Sequence, residues 1–241
     1  LAMHPEVIQA AVEATQRFGA GAGAARLVSG SLPPHQELET ALAQFKGTEA
    51  ALTYGSGYLA NIGTIPALIG QGGLILADRL CHASLIDGCR LSAADFRIYR
   101  HNDTEHLQSL LAARRPSRRT LIVTDGLFSM DGDLAPLPEL SRLAQEYEAD
   151  LYIDDAHGTG VMGPQGRGTV EHFGLDAEIP LQMGTLGKAF GSSGAYIAGP
   201  STLTQYLMNT SRSFIFTTAP PPSSAAAATT AIRLIQREPE R

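Results

Sequence analysis

Leu151-Tyr152-Ile153-Asp154-Asp155-Ala156-His157-Gly158-Thr159-Gly160 is a short apolar run that ends in two carboxylates, an imidazole and two glycines. Three consecutive apolar residues suit the centre of a strand covered on both faces, and the glycines let the chain turn tightly as it leaves the strand. Two other segments repeat this pattern. Leu121-Ile122-Val123 leads into Thr124-Asp125-Gly126-Leu127-Phe128-Ser129-Met130-Asp131-Gly132. Leu181-Gln182-Met183 leads into Gly184-Thr185-Leu186-Gly187-Lys188-Ala189-Phe190-Gly191, a lysine framed by glycines with a hydroxyl three residues before it.

Working outward from these runs, strands are expected at 74–77, 96–99, 121–124, 151–153 and 195–198. Helical spacing lies between and around them. Ile8, Ala11, Val12, Thr15 and Phe18 follow Pro5, and Leu38, Leu42 and Phe45 share a face that stops at Gly47. The apolar stretch 58–69 carries Pro66, expected to kink or end a helix. Leu107, Leu110 and Leu111, then Leu137, Leu140, Leu143, Ala144 and Tyr147, supply covers for the sheet. Residues 19–34 read as an irregular segment, 220–228 as a loop entering a helix, and 236–241 as a helix end or linker. The fold class expected is α/β, with a mainly parallel central sheet flanked by helices.

Composition narrows the function classes. A chain of 241 residues that is 44% hydrophobic fills one large domain or two small ones. A net charge of -6 argues against nucleic acid or an anionic membrane as partner, because both need a basic face. No apolar run approaches the roughly 20 residues of a membrane helix. Cys81 and Cys89, the two cysteines, are spaced as neither a metal knuckle nor a disulfide framework, and a reduced, cytoplasmic setting is expected.

Open α/β sheets place ligands beyond the carboxyl ends of their strands, so the three strand-end segments are where chemistry is expected. Taken singly, Asp154 reads as a helix cap and Lys188 as a solvated charge. Taken together they suit one cofactor. A lysine forms a Schiff base, an aspartate keeps a pyridine nitrogen protonated and a threonine by a glycine-rich turn holds a phosphate, and pyridoxal phosphate asks for all three. A zinc site from His82, Asp154 and His157 stays open on the Asp-x-x-His spacing, although no metal is the reading preferred. Residues 19–23 resemble a nucleotide loop but follow a helix, and no Gly-x-Ser-x-Gly elbow occurs. His101, His106 and His172 show no partner in the sequence and read as surface or packing residues, and His35 is open.

The three segments together resemble the α-oxoamine synthases, pyridoxal-phosphate enzymes of fold type I that join an amino acid to an acyl thioester with loss of CO2. The likeness covers nearly the whole chain. It includes Arg26-Leu27-Val28-Ser29-Gly30 within 21–30, Ser56-Gly57-Tyr58, His82 within 78–84, and the segments 128–133 and 163–168. Asp154 to Gly160, Arg26 to Gly30 and Ser129-Met130-Asp131-Gly132-Asp133 look like the aminooxononanoate synthase branch. Position 125 is Asp where several relatives have Glu.

The resemblance implies a fold type I large domain with an opening helix in 1–18, a cofactor-binding body in 19–235 and, in 236–241, the start of a link to a small C-terminal domain. Full-length members are longer, so the chain is expected to be a piece of such a protein. Lys188 would carry pyridoxal 5'-phosphate as a Schiff base and move the α-proton. His82 would stack on the ring, Asp154 would pair with its nitrogen, and His157 and Ser129 would bond its phenolic oxygen. Backbone groups of Gly57 and Tyr58 with Thr185 would hold the phosphate, with Thr217 or Thr218 reaching the cofactor of a neighbouring subunit in a homodimer. The reaction implied condenses L-alanine with a pimeloyl thioester, on coenzyme A or an acyl carrier protein. A sister branch using glycine or serine, and a catalytically silent partner subunit, are the alternatives.

Overall fold

Alternate residues of a strand face opposite sides of a sheet, so a strand apolar throughout needs a helical layer on each side. The computed structural model, which describes residues 1–115 and 117–240, has that arrangement. Its strands are β1 (Ala50–Tyr54), β2 (Leu74–Asp78), β3 (Asp95–Tyr99), β4 (Thr120–Asp125), β5 (Asp150–Asp154), β6 (Gln182–Thr185) and β7 (Ala195–Gly199), in the sheet order β1-β7-β6-β5-β4-β2-β3. The helices are α1 (Pro5–Phe18), α2 (Pro33–Lys46), α3 (Gly57–Leu68), α4 (Ala83–Leu91), α5 (Thr104–Ala112), α6 (Leu137–Glu146), α7 (Thr169–His172), α8 (Ser201–Thr210), α9 (Arg212–Ile215) and α10 (Pro222–Arg237).

The sheet is mainly parallel, as expected. β3, β2, β4, β5 and β6 run parallel, while β7 is antiparallel to β6 and to β1. From β2 the chain steps outward to β3 and then reverses across the sheet through β4, β5 and β6. Right-handed crossovers turn that reversal into helices on opposite faces. Ile75, Ala77, Leu121, Val123 and Tyr152 accordingly pack with Ala60 and Ile65 of α3 and Leu85 of α4. Leu74, Leu76, Ile122, Leu151 and Ile153 pack with Leu107 of α5 and Leu137, Leu140 and Leu143 of α6. Leu38, Leu42 and Phe45 of α2 and Ile232 of α10 cover Tyr196 and Ala198 of β7. The reversal places a topological switch point at the carboxyl ends of β2 and β4, the kind of position where such sheets bind ligands.

Two expectations shift. β1 was not foreseen. β6 extends through Gly184 and Thr185, which lie in the strand rather than after it, because Gly184 pairs with Tyr196 and Thr185 with Ala195. Pro66 marks a helix end as expected, sitting in the last turn of α3, which stops at Leu68. In the expected link 236–241, α10 runs to Arg237, and Arg241 lies outside the described residues.

One buried ion pair joins the layers. Lys46 Nζ, in the last turn of α2, lies 3.5 Å from Asp155 Oδ2, both side chains being almost wholly excluded from solvent. Lys46 also donates to the carbonyl of Arg167. Asp155 accepts from the Thr159 hydroxyl (3.1 Å), from Thr169 N (3.1 Å) and from the Thr169 hydroxyl (2.7 Å). The backbone crowds close around it: Gly168 has φ +118°, and a Cβ there would collide with the carboxylate. Burial pulls the Lys46 ammonium below its ordinary value and the field of Asp155 opposes it. Removing one member of such a pair strands the other charge in the core. Lys46→Met is therefore expected to destabilise the fold by ~3 kcal/mol in urea unfolding. A loss within error of zero would remove the pair from the determinants of the fold.

Candidate active site

Asp154 ends β5 and is 3% exposed. Both its oxygens have neutral donors: Asn61 Nδ2 reaches Oδ2 at 2.8 Å and Ala156 N reaches Oδ1 at 3.0 Å. Asn61, on α3, is held in turn by the Tyr152 hydroxyl, which donates to its Oδ1 (2.7 Å). Its amide also donates to Ser84 Oγ (2.9 Å), and Ser84 Oγ meets His82 Nδ1 at 2.7 Å. Since Ser84 N also donates to His82 Nδ1 (3.2 Å), that nitrogen acts as an acceptor. His82 caps α4, its own N–H donating to Asp125 Oδ2 (2.9 Å), which leaves an exposed ring fixed at the strand ends.

Asp125 and Asp154 are register partners on adjacent strands, both buried. Burial, then the charge of Asp154, pushes the Asp125 carboxyl up to about 8, against the His82 N–H bond and the charge of Lys188. Burial also raises Asp154, against its bonds from Asn61 and Ala156 and the charges of Lys188 and His82. Among the described residues neither forms an ion pair, so the site holds two carboxylates that compete to stay neutral and offers a place for a cation.

Lys188 is exposed on the turn after β6, closed by Gly191 N to Lys188 O (2.9 Å). His157 is half-buried; desolvation first, then the charges of Lys188 and His82, lowers its imidazole below the ordinary value. The structure thus brings Lys188, His82, Asp154 and His157 into one electrostatic neighbourhood. Gly57 and Tyr58 open α3, where the first N–H groups have no partner within the helix, and Ser56 caps it by accepting from Leu59 N (3.2 Å). The Tyr58 hydroxyl reaches away to Asp87 (2.9 Å). Thr185 is buried at the end of β6, its hydroxyl donating to Gly194 O (3.1 Å) and accepting from Gly187 N (3.3 Å). Ser129 is exposed in the loop after β4. Thr217 and Thr218 stand apart between α9 and α10, Thr218 bridged to Ala25.

Asn61, Ser84, Tyr152 and Asp125 join the site without having been singled out as site residues. An asparagine in an otherwise apolar helix was the available signal. The histidines also sort themselves. His101, read as partnerless, lies between two carboxylates and meets Phe128 edge-on at 4.5 Å. His106 Nδ1 accepts from Arg100 N (3.0 Å) and His172 packs edge-on against Phe173. His35 is buried, bonded to Leu32 N (3.1 Å) and Pro220 O (2.8 Å). Among the described residues, His82, Asp154 and His157 do not converge as metal ligands; the acid–histidine group close enough to share a cation is His101, Asp131 and Asp133.

The model of the aminotransferase class I and II family matches residues 2–240. The chain belongs to that family. A curated relative from Geobacter sulfurreducens, an 8-amino-7-oxononanoate synthase, is 57% identical over 235 residues, which are 98% of this chain and 60% of the relative. A serine palmitoyltransferase from S. paucimobilis, solved with a bound PLP–myriocin aldimine, superposes with a TM-score of 0.97 at 36% identity, covering 99% of this chain and 60% of that one. An 8-amino-7-oxononanoate synthase from Francisella tularensis superposes with a TM-score of 0.83 at 29% identity, covering 98% of this chain and 66% of that one. The chain thus spans about 60% of the curated relative. Its fold is that of the fold type I enzymes in this family.

The raised Asp125 carboxyl gives a stability signature. Between an unfolded value of 3.8 and a folded value of about 8, the folded chain binds more protons than the unfolded one, so the group costs stability increasingly as pH rises through that window. Asp125→Asn, which keeps an acceptor for His82 N–H, is expected to gain ~2 kcal/mol on the wild type between pH 5 and pH 8 in denaturant unfolding. Parallel pH profiles for the two proteins would mean that Asp125 is ionised throughout.

Proposed function

We propose that this chain is the cofactor-binding part of an 8-amino-7-oxononanoate synthase of biotin biosynthesis. It would condense L-alanine with a pimeloyl thioester, on coenzyme A or an acyl carrier protein, with loss of CO2. The observation that carries the reading is Asp154: a buried carboxylate with two neutral donors and a second buried carboxylate beside it. A protonated pyridine nitrogen supplies the cation that this arrangement lacks, so the residues fit pyridoxal phosphate.

Bound there, pyridoxal phosphate supplies an electron sink for charge developing at the amino-acid α-carbon. Lys188 Nζ would hold the cofactor covalently, and later accept the α-proton and return it. His82, fixed by Asp125 and Ser84, would lie against the ring face. Asp154 would keep the ring nitrogen protonated, its own orientation set by Asn61 and Ala156. His157 and Ser129 would bond the phenolic oxygen, His157 as the neutral imidazole that its lowered pKa favours. The Gly57 and Tyr58 N–H groups would carry most of the phosphate's charge at the start of α3, because the Thr185 hydrogen is given to Gly194 O.

A homodimer belongs to this reading. Leu59, Pro66, Leu91 and Thr217 line an apolar groove of about 520 Å³ beside Phe216, which is 70% exposed. A second copy would cover it and place Thr217 or Thr218 near its cofactor. The setting we propose is cytoplasmic, in keeping with Cys81 and Cys89 as free thiols. No described helix is long and apolar enough to cross a membrane.

The amino acid is the open choice between branches. Identity to the curated Geobacter relative, 57%, favours the oxononanoate synthase, while among the solved structures the serine palmitoyltransferase is nearer than the Francisella tularensis oxononanoate synthase in both identity, 36% against 29%, and TM-score, 0.97 against 0.83; backbone likeness does not select a substrate. Added pyridoxal phosphate is expected to give a visible absorbance band that borohydride removes, with the added mass on the Lys188 peptide. Lys188→Ala should abolish that label. L-alanine should perturb the band at about tenfold lower concentration than serine or glycine. A label on another residue would sink the cofactor assignment, and a preference for serine would move the chain to the sister branch.

A further inference from the structure

The Asp131-Gly132-Asp133 end of the segment after β4 has no part in the site described above, yet it is tied to the sheet through one imidazole. His101 follows β3, its Nδ1 lying 2.9 Å from Asp78 Oδ1 at the end of β2 and its Nε2 lying 2.8 Å from Asp133 Oδ2. A neutral imidazole carries one N–H and would set a lone pair against a carboxylate oxygen; the imidazolium donates from both nitrogens. Asn102 completes the cluster, giving its N–H to Asp78 Oδ2 (2.8 Å) and its amide to Asp133 Oδ2 (2.9 Å) and Leu134 O (3.2 Å). Both ring nitrogens are committed to carboxylates, which leaves none for a cation shared with Asp131.

Residues 126–135 form a unit closed on itself. Leu127 bridges Leu134, Phe128 N donates to Asp133 O (3.0 Å) and Ala135 N donates to Gly126 O (3.0 Å). Ser129 and Met130 stand exposed at its tip, while Phe128 is buried with its ring edge-on to His101. His101 and Asn102 thus bind the side of this unit to the end of β2.

We propose that His101 is a positioning residue whose protonated ring clamps the Ser129 loop to the end of β2, and that loss of its proton loosens the loop. The groups facing the ring agree with that direction. Asp78 comes from β2, and Asp133 and Asp131 from the loop. On its own segment Arg100 is taken by Asp103 at 2.7 Å. Burial works against the charge on His101, but its bonds to Asp78 and Asp133 and their fields outweigh this, and the imidazole is raised above 6.5. The clamp is therefore complete below that value and lost as pH rises through the raised one. Its effect on the cofactor rests on the reading above, in which Ser129 bonds the phenolic oxygen; the clamp itself does not.

The test uses the whole chain. In a proton NMR titration His101 is expected to have a midpoint above 6.5, and Asp133→Asn to lower it by about one unit. Hydrogen exchange in 126–135, corrected for the intrinsic rate, should rise about tenfold through that midpoint in the wild type and stay flat with pH in His101→Gln. The affinity for added pyridoxal phosphate, read from its absorbance, should weaken through the same midpoint. A His101 midpoint at or below 6.5, loop exchange that ignores the midpoint, or an unchanged profile in His101→Gln would each overturn the clamp. Exchange that follows His101 in a protein that binds no pyridoxal phosphate would uphold the clamp and refute the cofactor reading. Cofactor bound on Lys188 with an affinity indifferent to the midpoint would overturn the link between clamp and site.

Discussion

Two successive carboxylates at the end of β5 face opposite sides of the sheet, and most of the local architecture follows from that alternation. Asp154, in step with Tyr152, meets Asn61 of α3. Asp155, in step with Ile153, meets Lys46 of α2 and Thr169 of α7. One acid is neutralised by a lysine and anchors the glycine-rich turn that carries His157. Its neighbour is given only neutral donors. The pair differ in partner rather than in depth, since both are buried, and that difference separates a structural carboxylate from one available to a ligand.

His82 illustrates how the site is made rigid without large side chains. Its backbone N–H is held from β4 by Asp125, and its ring nitrogen is held through Ser84 by the same Asn61 that orients Asp154. The ring and the acid are thus positioned by one amide on α3, which Tyr152 of β5 fixes in turn. A rotation of Asn61 would disturb two proposed contacts to the cofactor at once, which explains an asparagine buried in an apolar helix despite the cost of enclosing its polar group.

The parts legible in the sequence were those written in local pattern. Strands such as Leu74–Asp78 are apolar enough to be read directly, and the acids and lysine that end β5 and follow β6 stand where parallel sheets expose ligand-binding residues. β1 escaped notice because Ala50-Ala51-Leu52-Thr53-Tyr54 has weak strand character; its register with β7 comes from tertiary pairing. Gly184 looked like the start of a turn, yet its pairing with Tyr196 keeps it in β6, and it is glycine because the Tyr196 ring occupies the space of a Cβ. His101 looked partnerless since Asp78 and Asp133 lie 23 and 32 residues away, a juxtaposition only the strand order creates.

Register brings the last residues of β4 and β5, Asp125 and Asp154, side by side, and β2 also ends in an aspartate, Asp78, one step out of register with Asp125. Buried carboxylates this close repel one another, and each finds its own set of donors. Asp78 collects Leu80 N, Asn102 N and the His101 ring. Asp154 has Asn61 and Ala156 N, and Asp125 has the N–H of His82. Burial first, then the charge of Asp154, pushes Asp125 towards neutrality, and burial raises Asp154 too against its two donors. A cation arriving at Asp154 would lower the repulsion on Asp125 as well, coupling ligand charge to the group that fixes His82. The three strand-end acids therefore hold the proposed loop clamp, the proposed ring-stacking histidine and the proposed cofactor partner at one end of the sheet.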